Sequence, residues 1–240
     1  LMASGAEMRK FAANYTYLTY SGDMEATAQS LETCGFKSVR VLERDDALAL
    51  NGVSPDESAI VVGFRCATKV NLSLISQDRR TVEENGIHMP RSMFNFVSHI
   101  KPVVDEQVKE LMVRYPDAKL VVTGGSLGAS AALQWVSRGL KDGTLQENRL
   151  APVVPIGITR SVGRARADEL RKKLGKRLDI CVANGDWLAM RYGAKEEHGN
   201  TLTRLGPRSV KFRWSSPIEY HSMIYAIEQV KDAAKRVTTG

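Results

Sequence analysis

Three short apolar runs constrain this chain more than anything else in it. They are "AIVVGF" (59–64), "AKLVVTG" (118–124) and "APVVPIG" (151–157), and each lacks the polar alternation of a half-exposed strand. Runs of this kind suit strands buried on both faces. Between and after them the pattern turns helical. Val97, Ile100, Val103, Val104, Val108, Leu111 and Met112 recur at helical spacing up to about Arg114, "SLGASAALQWVSRGL" is a helix rich in small residues, and "ARADELRKKLG" is a third helical stretch. Strands alternating with helices from residue 59 onward predict a mostly parallel central sheet with helices on both faces, an α/β fold in three layers. Function in such sheets sits at the carboxyl ends of the strands.

The remaining segments fit around that frame. Residues 5 to 34 read as one or two helices broken near Ser21-Gly22-Asp23, and "KSVRVLERDDALALNG" reads as a two-stranded hairpin. Residues 65 to 90 carry no clear period. "RLDICVANGD" reads as a fourth strand with its loop, "SVKFRW" alternates, and "PIEYHSMIYAIEQVKDAAKRV" closes the chain as a helix. No repeat, low-complexity tract or linker interrupts the chain, so residues 1–240 are expected to form a single domain.

Several classes of function fall away at this stage. No apolar run is long enough to cross a bilayer. No charged segment followed by an apolar one opens the chain, so no signal peptide is expected in it, but it begins at Leu1 rather than Met and the compartment stays open. Cys34, Cys66 and Cys181 follow no metal spacing and read as free or buried thiols. The net charge of +7 gathers most sharply from Arg160 to Arg177, where Asp168 and Glu169 interrupt the cations as on a solvated helix. An anionic lipid interface is the alternative use of that stretch. Nucleic acid is not expected, because no aromatic residues are interleaved there to stack bases.

Gly124-Gly125-Ser126-Leu127-Gly128 satisfies G-x-S-x-G and falls where a strand should meet a helix. A nucleophile elbow needs small residues there, since the serine backbone is strained and the turn packs strand closely on helix. Ala129, Ser130, Ala131 and Ala132 continue that demand. The helix N-terminus would also favour an oxyanion above Ser126. The alternative is a plain glycine-rich strand-to-helix turn, or one that binds phosphate; neither a dinucleotide fingerprint nor a P-loop is present. Serine needs a base oriented by a carboxylate, and in elbow enzymes the acid and then the histidine follow in the chain. His198 and His221 follow Ser126. His198 lies in the charged "KEEHGN" and is expected at the surface, whereas His221 sits at the opening of the last helix. Among the acids, Asp186 lies just past a strand, Asp179 inside one, and Asp142 and Asp168 look like surface positions. Position alone gives Ser126, Asp186 and His221.

These residues resemble the class 3 lipases, a branch of the α/β-hydrolases, from about Phe11 to Ala226. "VVTGGSLGASAAL" is similar to that family's strand, elbow and helix, with Gly125 where a His is usual and Ala129 where a Gly is. "PIGITRSVG" resembles its Gly, Pro-Arg and Val-Gly segment, "NGDWLAM" the stretch with the triad acid, and "EYHSMIYAI" the closing histidine segment, with Tyr225 beside His221. "VVGFRCATKV" looks like the family's Phe-Arg-Gly-Thr/Ser. The resemblance implies that the backbone N–H groups of Leu127 and Ala67 form the oxyanion hole, although Cys66 replaces the Gly and Ala67 lacks the usual hydroxyl. "GIHMP" resembles a turn in which His88 is structural. "KVNLSLISQDRR" corresponds to the family's lid, where Val70, Leu72, Leu74 and Ile75 would cover an acyl pocket; the plain alternative is an ordinary surface segment. The expected activity is hydrolysis of carboxylic esters, acylglycerols or other lipid esters, with no metal or organic cofactor. The rival is a lipase-like module that binds without turnover.

Overall fold

A computed structural model of the chain describes residues 5–19, 23–45, 47–65, 80–85, 87–183, 186, 189 and 194–205. Two helices come first, α1 (Gly5–Leu18) and α2 (Met24–Thr33), followed by the hairpin strands β1 (Lys37–Arg44) and β2 (Ala47–Val53) and then β3 (Ala59–Phe64). A small hairpin, β4 (Thr81–Glu84) and β5 (Ile87–Pro90), leads into α3 (Arg91–Arg114). The chain then alternates through β6 (Lys119–Gly125), α4 (Leu127–Asp142), β7 (Leu150–Ile156), α5 (Arg164–Leu174), β8 (Cys181–Ala183), α6 (Ala194–His198) and β9 (Thr203–Leu205).

The main sheet runs β1-β2-β3-β6-β7-β8-β9. Its first three strands are antiparallel neighbours, and β3, β6, β7, β8 and β9 are parallel. Alternate residues of each central strand serve opposite faces. Val61 and Val121 pack with Tyr15, Met24 and Leu31 from α1 and α2. Ile60, Val62, Phe64, Leu120 and Val122 pack with Val97, Ile100, Val104, Trp135 and Val136 from α3 and α4. Both faces are therefore covered, which is why these strands read as continuous apolar runs. Gly63 interrupts the run for a local reason: a Cβ there would lie 2.9 Å from the Tyr15 ring, so α1 rests directly on the strand.

Polar groups buried between the helices are tied to one another. Lys101 of α3 bridges Asp105 at 2.5 Å and Asp142 at 2.9 Å, and Trp135 Nε1 donates to Asp105 at 2.8 Å. Arg138 of α4 bonds Glu84 of the small hairpin and Ser98 of α3, with its guanidinium 4.7 Å from the centre of the Phe94 ring. The small hairpin is thereby fastened to α3 and α4.

The basic stretch from Arg160 to Arg177 is not a uniform solvated face. Arg164, Lys172, Lys173 and Lys176 are exposed, but Arg166 is 6 % exposed and donates to Ser137 O at 2.7 Å and to its hydroxyl at 2.8 Å. Arg177 likewise donates to the carbonyls of Glu147 and Leu150. Arg166 and Arg177 thus serve to pack α5 and the turn after it onto their neighbours. Among the described residues no helix is long and apolar enough to cross a membrane.

Candidate active site

The parallel strands end together, and the turn from β6 into α4 is built at that edge. Ser126 takes φ 51° and ψ −117°, a conformation that costs a non-glycine residue about 1–3 kcal/mol. Its N–H is held by Ile156 O of β7 at 2.9 Å, and its carbonyl accepts from Ala129 and Ser130 at 3.0 and 3.2 Å. Strain at Ser126 is thus maintained by bonds to both the neighbouring strand and the following helix.

The flanking glycines make the turn possible. A Cβ on Gly124 would lie 2.3 Å from Gly128 O, and one on Gly128 would lie 2.3 Å from Phe64 O and 2.9 Å from the carbonyl carbon of Arg65. Both obstacles are backbone, so neither can rotate away. Gly128→Ala should therefore destabilise the fold by about 3 kcal/mol or more, the upper range for overpacking. Chemical denaturation followed by circular dichroism checks this; an unchanged midpoint would contradict the close approach.

Leu127 opens α4, where the first backbone N–H groups have no intrahelical acceptor and the helix dipole is positive. Asp186 lies beyond β8, 1 % exposed. Its N–H donates to Ala183 O at 3.1 Å, and its Oδ1 accepts from Ala189 N–H at 2.9 Å, so the carboxylate is fixed by its own turn. Gly157, at φ +65°, connects the two sites. A Cβ on it would sit 3.7 Å from Asp186 Oδ2 and 3.9 Å from Ser126 N, so nucleophile candidate and acid candidate approach the same point. The structure therefore brings Ser126, Leu127 and Asp186 to one edge of the sheet. His221, Ala67, Val70, Leu72, Leu74 and Ile75 lie outside the described residues.

His88 stands apart from this edge cluster as an exposed residue of β5, 3.7 Å from Glu83. His198 is a correction. Expected at the surface, it is 2 % exposed. Its Nδ1 lies 3.2 Å from Arg171 Nη2 and its Nε2 3.0 Å from Glu197 Oε1. Arginine can only donate, so Nδ1 accepts and the ring proton is on Nε2. The reason lies in distant partners that no local pattern shows. The Glu197 carboxylate, 3 % exposed, accepts from the N–H groups of Ser161 (2.9 Å), Val162 (3.1 Å) and Gly163 (2.9 Å), and from the Ser161 hydroxyl at 2.5 Å.

Burial by itself raises the Glu197 pKa, but the hydrogen bonds from His198 and Ser161 outweigh it and hold the group below its ordinary 4.5. A carboxyl with a depressed folded pKa stabilises the fold fully above its unfolded value and loses that contribution as pH falls through the folded one. The melting temperature of the wild type should consequently drop more steeply below pH 4.5 than that of Glu197→Gln. Parallel slopes in calorimetry would contradict the assignment.

A strained serine between strand and helix, at the carboxyl edge of a largely parallel sheet covered on both faces, defines an α/β-hydrolase. Solved structures with the same fold include a Rhizomucor miehei lipase–propeptide complex (TM-score 0.67, 13% identity, covering 95% of this chain and 80% of that one). Lipase II from Rhizopus niveus (TM-score 0.62, 15% identity, 85% and 80%) and a triacylglycerol lipase whose catalytic centre is a serine-protease triad (TM-score 0.65, 15% identity, 79% and 74%) are also similar. The chain belongs to the class 3 lipases, whose family profile matches residues 64–190. No protein of curated function matches the sequence.

Proposed function

We propose that residues 1–240 form a single α/β-hydrolase domain that cleaves carboxylic esters, acylglycerols or other lipid esters, through an acyl-enzyme on Ser126. The observation that carries this reading is the strained Ser126 backbone at the start of α4, with the Asp186 carboxylate approaching the same point across Gly157. His221 takes the proton from Ser126 Oγ as that oxygen bonds to the ester carbonyl carbon. Asp186 holds the imidazole tautomer and stabilises the imidazolium. The oxyanion is met by the N–H groups of Leu127 and Ala67, the latter reached two residues after Arg65, whose carbonyl carbon abuts Gly128. His221 then protonates the departing alcohol. A water deprotonated by His221 releases the carboxylic acid and restores Ser126. Val70, Leu72, Leu74 and Ile75 would line the acyl side, and no cofactor is called for. The lipases of similar fold support lipid esters as substrates.

A second reading is a lipase-like module that binds without turnover. Cys66-Ala67, where the family usually carries Gly-Thr/Ser, favours it, because a lost oxyanion donor costs on the order of 100-fold in rate. Hydrolysis of p-nitrophenyl esters from acetate to palmitate separates the two. Serine-dependent turnover supports the enzyme, and its chain-length optimum distinguishes esterase from lipase. Folded protein inactive on every ester supports the binding module.

A further inference from the structure

Residues 157–163 leave β7 and lead into α5 without regular structure, and they are held more firmly than such a connection requires. On one side α4 grips them. Ser130 Oγ accepts from Thr159 N–H at 3.2 Å and lies 2.9 Å from the Thr159 hydroxyl, while Gln134 Nε2 donates to Ser161 O at 3.1 Å. On the other side stands Glu197, whose carboxylate gathers the N–H groups of Ser161, Val162 and Gly163. An exposed Ser or Asp at the start of α5 would cap that helix at little cost. The chain instead uses a buried carboxylate, which must be fully bonded to be tolerated there.

What this arrangement accomplishes shows at the far ends of the two segments. Residues 157–163 begin at Gly157, beside Ser126 N and Asp186 Oδ2. The stretch 186–197 begins at Asp186 and ends at Glu197. The two segments therefore meet twice: Asp186 against Gly157 at one end, and Glu197 on Ser161–Gly163 at the other. A shift at the second junction has a path of only four residues to the first, along 157–161, where Ser130 and Gln134 hold Thr159 and Ser161 and where Gly157 N–H donates to Cys181 O at 2.8 Å.

We propose that Glu197 is a positioning residue: by fixing Ser161–Gly163 it sets the place of Gly157, and so the separation of Asp186 from Ser126. The proposal rests on the reading of those two as acid and nucleophile. His198 packs beside the clamp, its Nε2 3.0 Å from Glu197 Oε1 and its Nδ1 3.2 Å from Arg171 Nη2. In Glu197→Gln the carboxamide NH2 would face backbone donors, and the loop would have to move.

The test uses the full chain as wild type and Glu197→Gln, with active sites titrated by a fluorophosphonate so that rates refer to competent molecules only. kcat should fall by about 10- to 100-fold, the scale of a displacement of about 1 Å. KM should stay within about twofold, since the acyl side is untouched. The acid limb of the kcat/KM profile should move to lower pH, because a more distant carboxylate stabilises the imidazolium less. An unchanged kcat per titrated site would overturn the proposal. Should Glu197→Gln not fold, Ser161→Ala removes one bond to the carboxylate and should show the same split at about threefold. Amide hydrogen exchange decides independently of activity: Glu197→Gln should release Asp186 and Ala189 together with 157–163. Release confined to 161–163 would overturn the proposal, while coupled release in a protein inactive on every ester would uphold the clamp and reject the enzyme reading.

Discussion

Ser126→Ala is expected to lower kcat by about 10^6-fold, the scale seen when the nucleophile of a serine triad is removed. Fluorophosphonate labelling should vanish with it. The structure also says what should happen to stability. Ser126 is held at φ 51° and ψ −117° by Ile156 O on one side and by the amides of Ala129 and Ser130 on the other. Alanine carries the same Cβ into the same conformation, so the strain persists and the melting temperature should hardly move. Ser126→Gly should be equally inactive but more stable, by about 1 kcal/mol or more, because glycine adopts positive φ without the Cβ penalty. The pair of variants thus separates the chemistry of the hydroxyl from the conformation that presents it. Hydrolysis of a short p-nitrophenyl ester, labelling followed by mass spectrometry, and thermal denaturation measure the three effects. Labelling that persists in Ser126→Ala would remove Ser126 from the reaction.

The elbow was legible in the sequence because its demands are local and steric. Gly124 and Gly128 stand where any Cβ would strike backbone, and the strand before and helix after announce themselves by period. The central strands were legible for a related reason: both their faces are covered, so Val61 and Val62 are equally apolar. Where one residue of a segment answers to a distant one, legibility failed. The charged "KEEHGN" reads as surface, yet Glu197 is buried under amides 34 to 36 residues earlier in the chain. Arg166 reads as a solvated cation and is spent on Ser137 of α4. The helix expected from Val97 begins at Arg91, because its first turn packs Met93 into the core directly after β5. The β4–β5 hairpin went unseen among residues 65 to 90 although it carried a signal: Asn85-Gly86 is a favoured two-residue turn, and Asn85 adopts φ 52°. β9 is three residues long, too short for any period to show.

Asp186→Asn is the second large effect, an expected fall of about 10^4-fold in kcat with the fold intact. The isostere keeps what holds the side chain in place, since an amide oxygen at Oδ1 still accepts from Ala189 N–H at the observed 2.9 Å. That bond fixes which end of the group turns outward. With the oxygen committed to Ala189, the new NH2 occupies the position of Oδ2, the atom that faces Gly157 and the Ser126 turn. A donor there selects the imidazole tautomer that cannot take the serine proton, and it supplies no charge to stabilise the imidazolium. KM should change little, because neither defect touches the bound ester before reaction. Asp186→Ala should differ in kind: it leaves the Ala189 N–H without its acceptor in a site 1 % exposed, and should lower stability by about 1–3 kcal/mol as well as activity. If Asp186→Asn retained more than about a tenth of wild-type kcat, the acid would have to be sought elsewhere. Asp179, expected inside a strand, lies two residues before β8 and is the preceding carboxylate in the chain, but it accepts the Thr203 hydroxyl of β9 at 2.7 Å and so serves the opposite end of that strand.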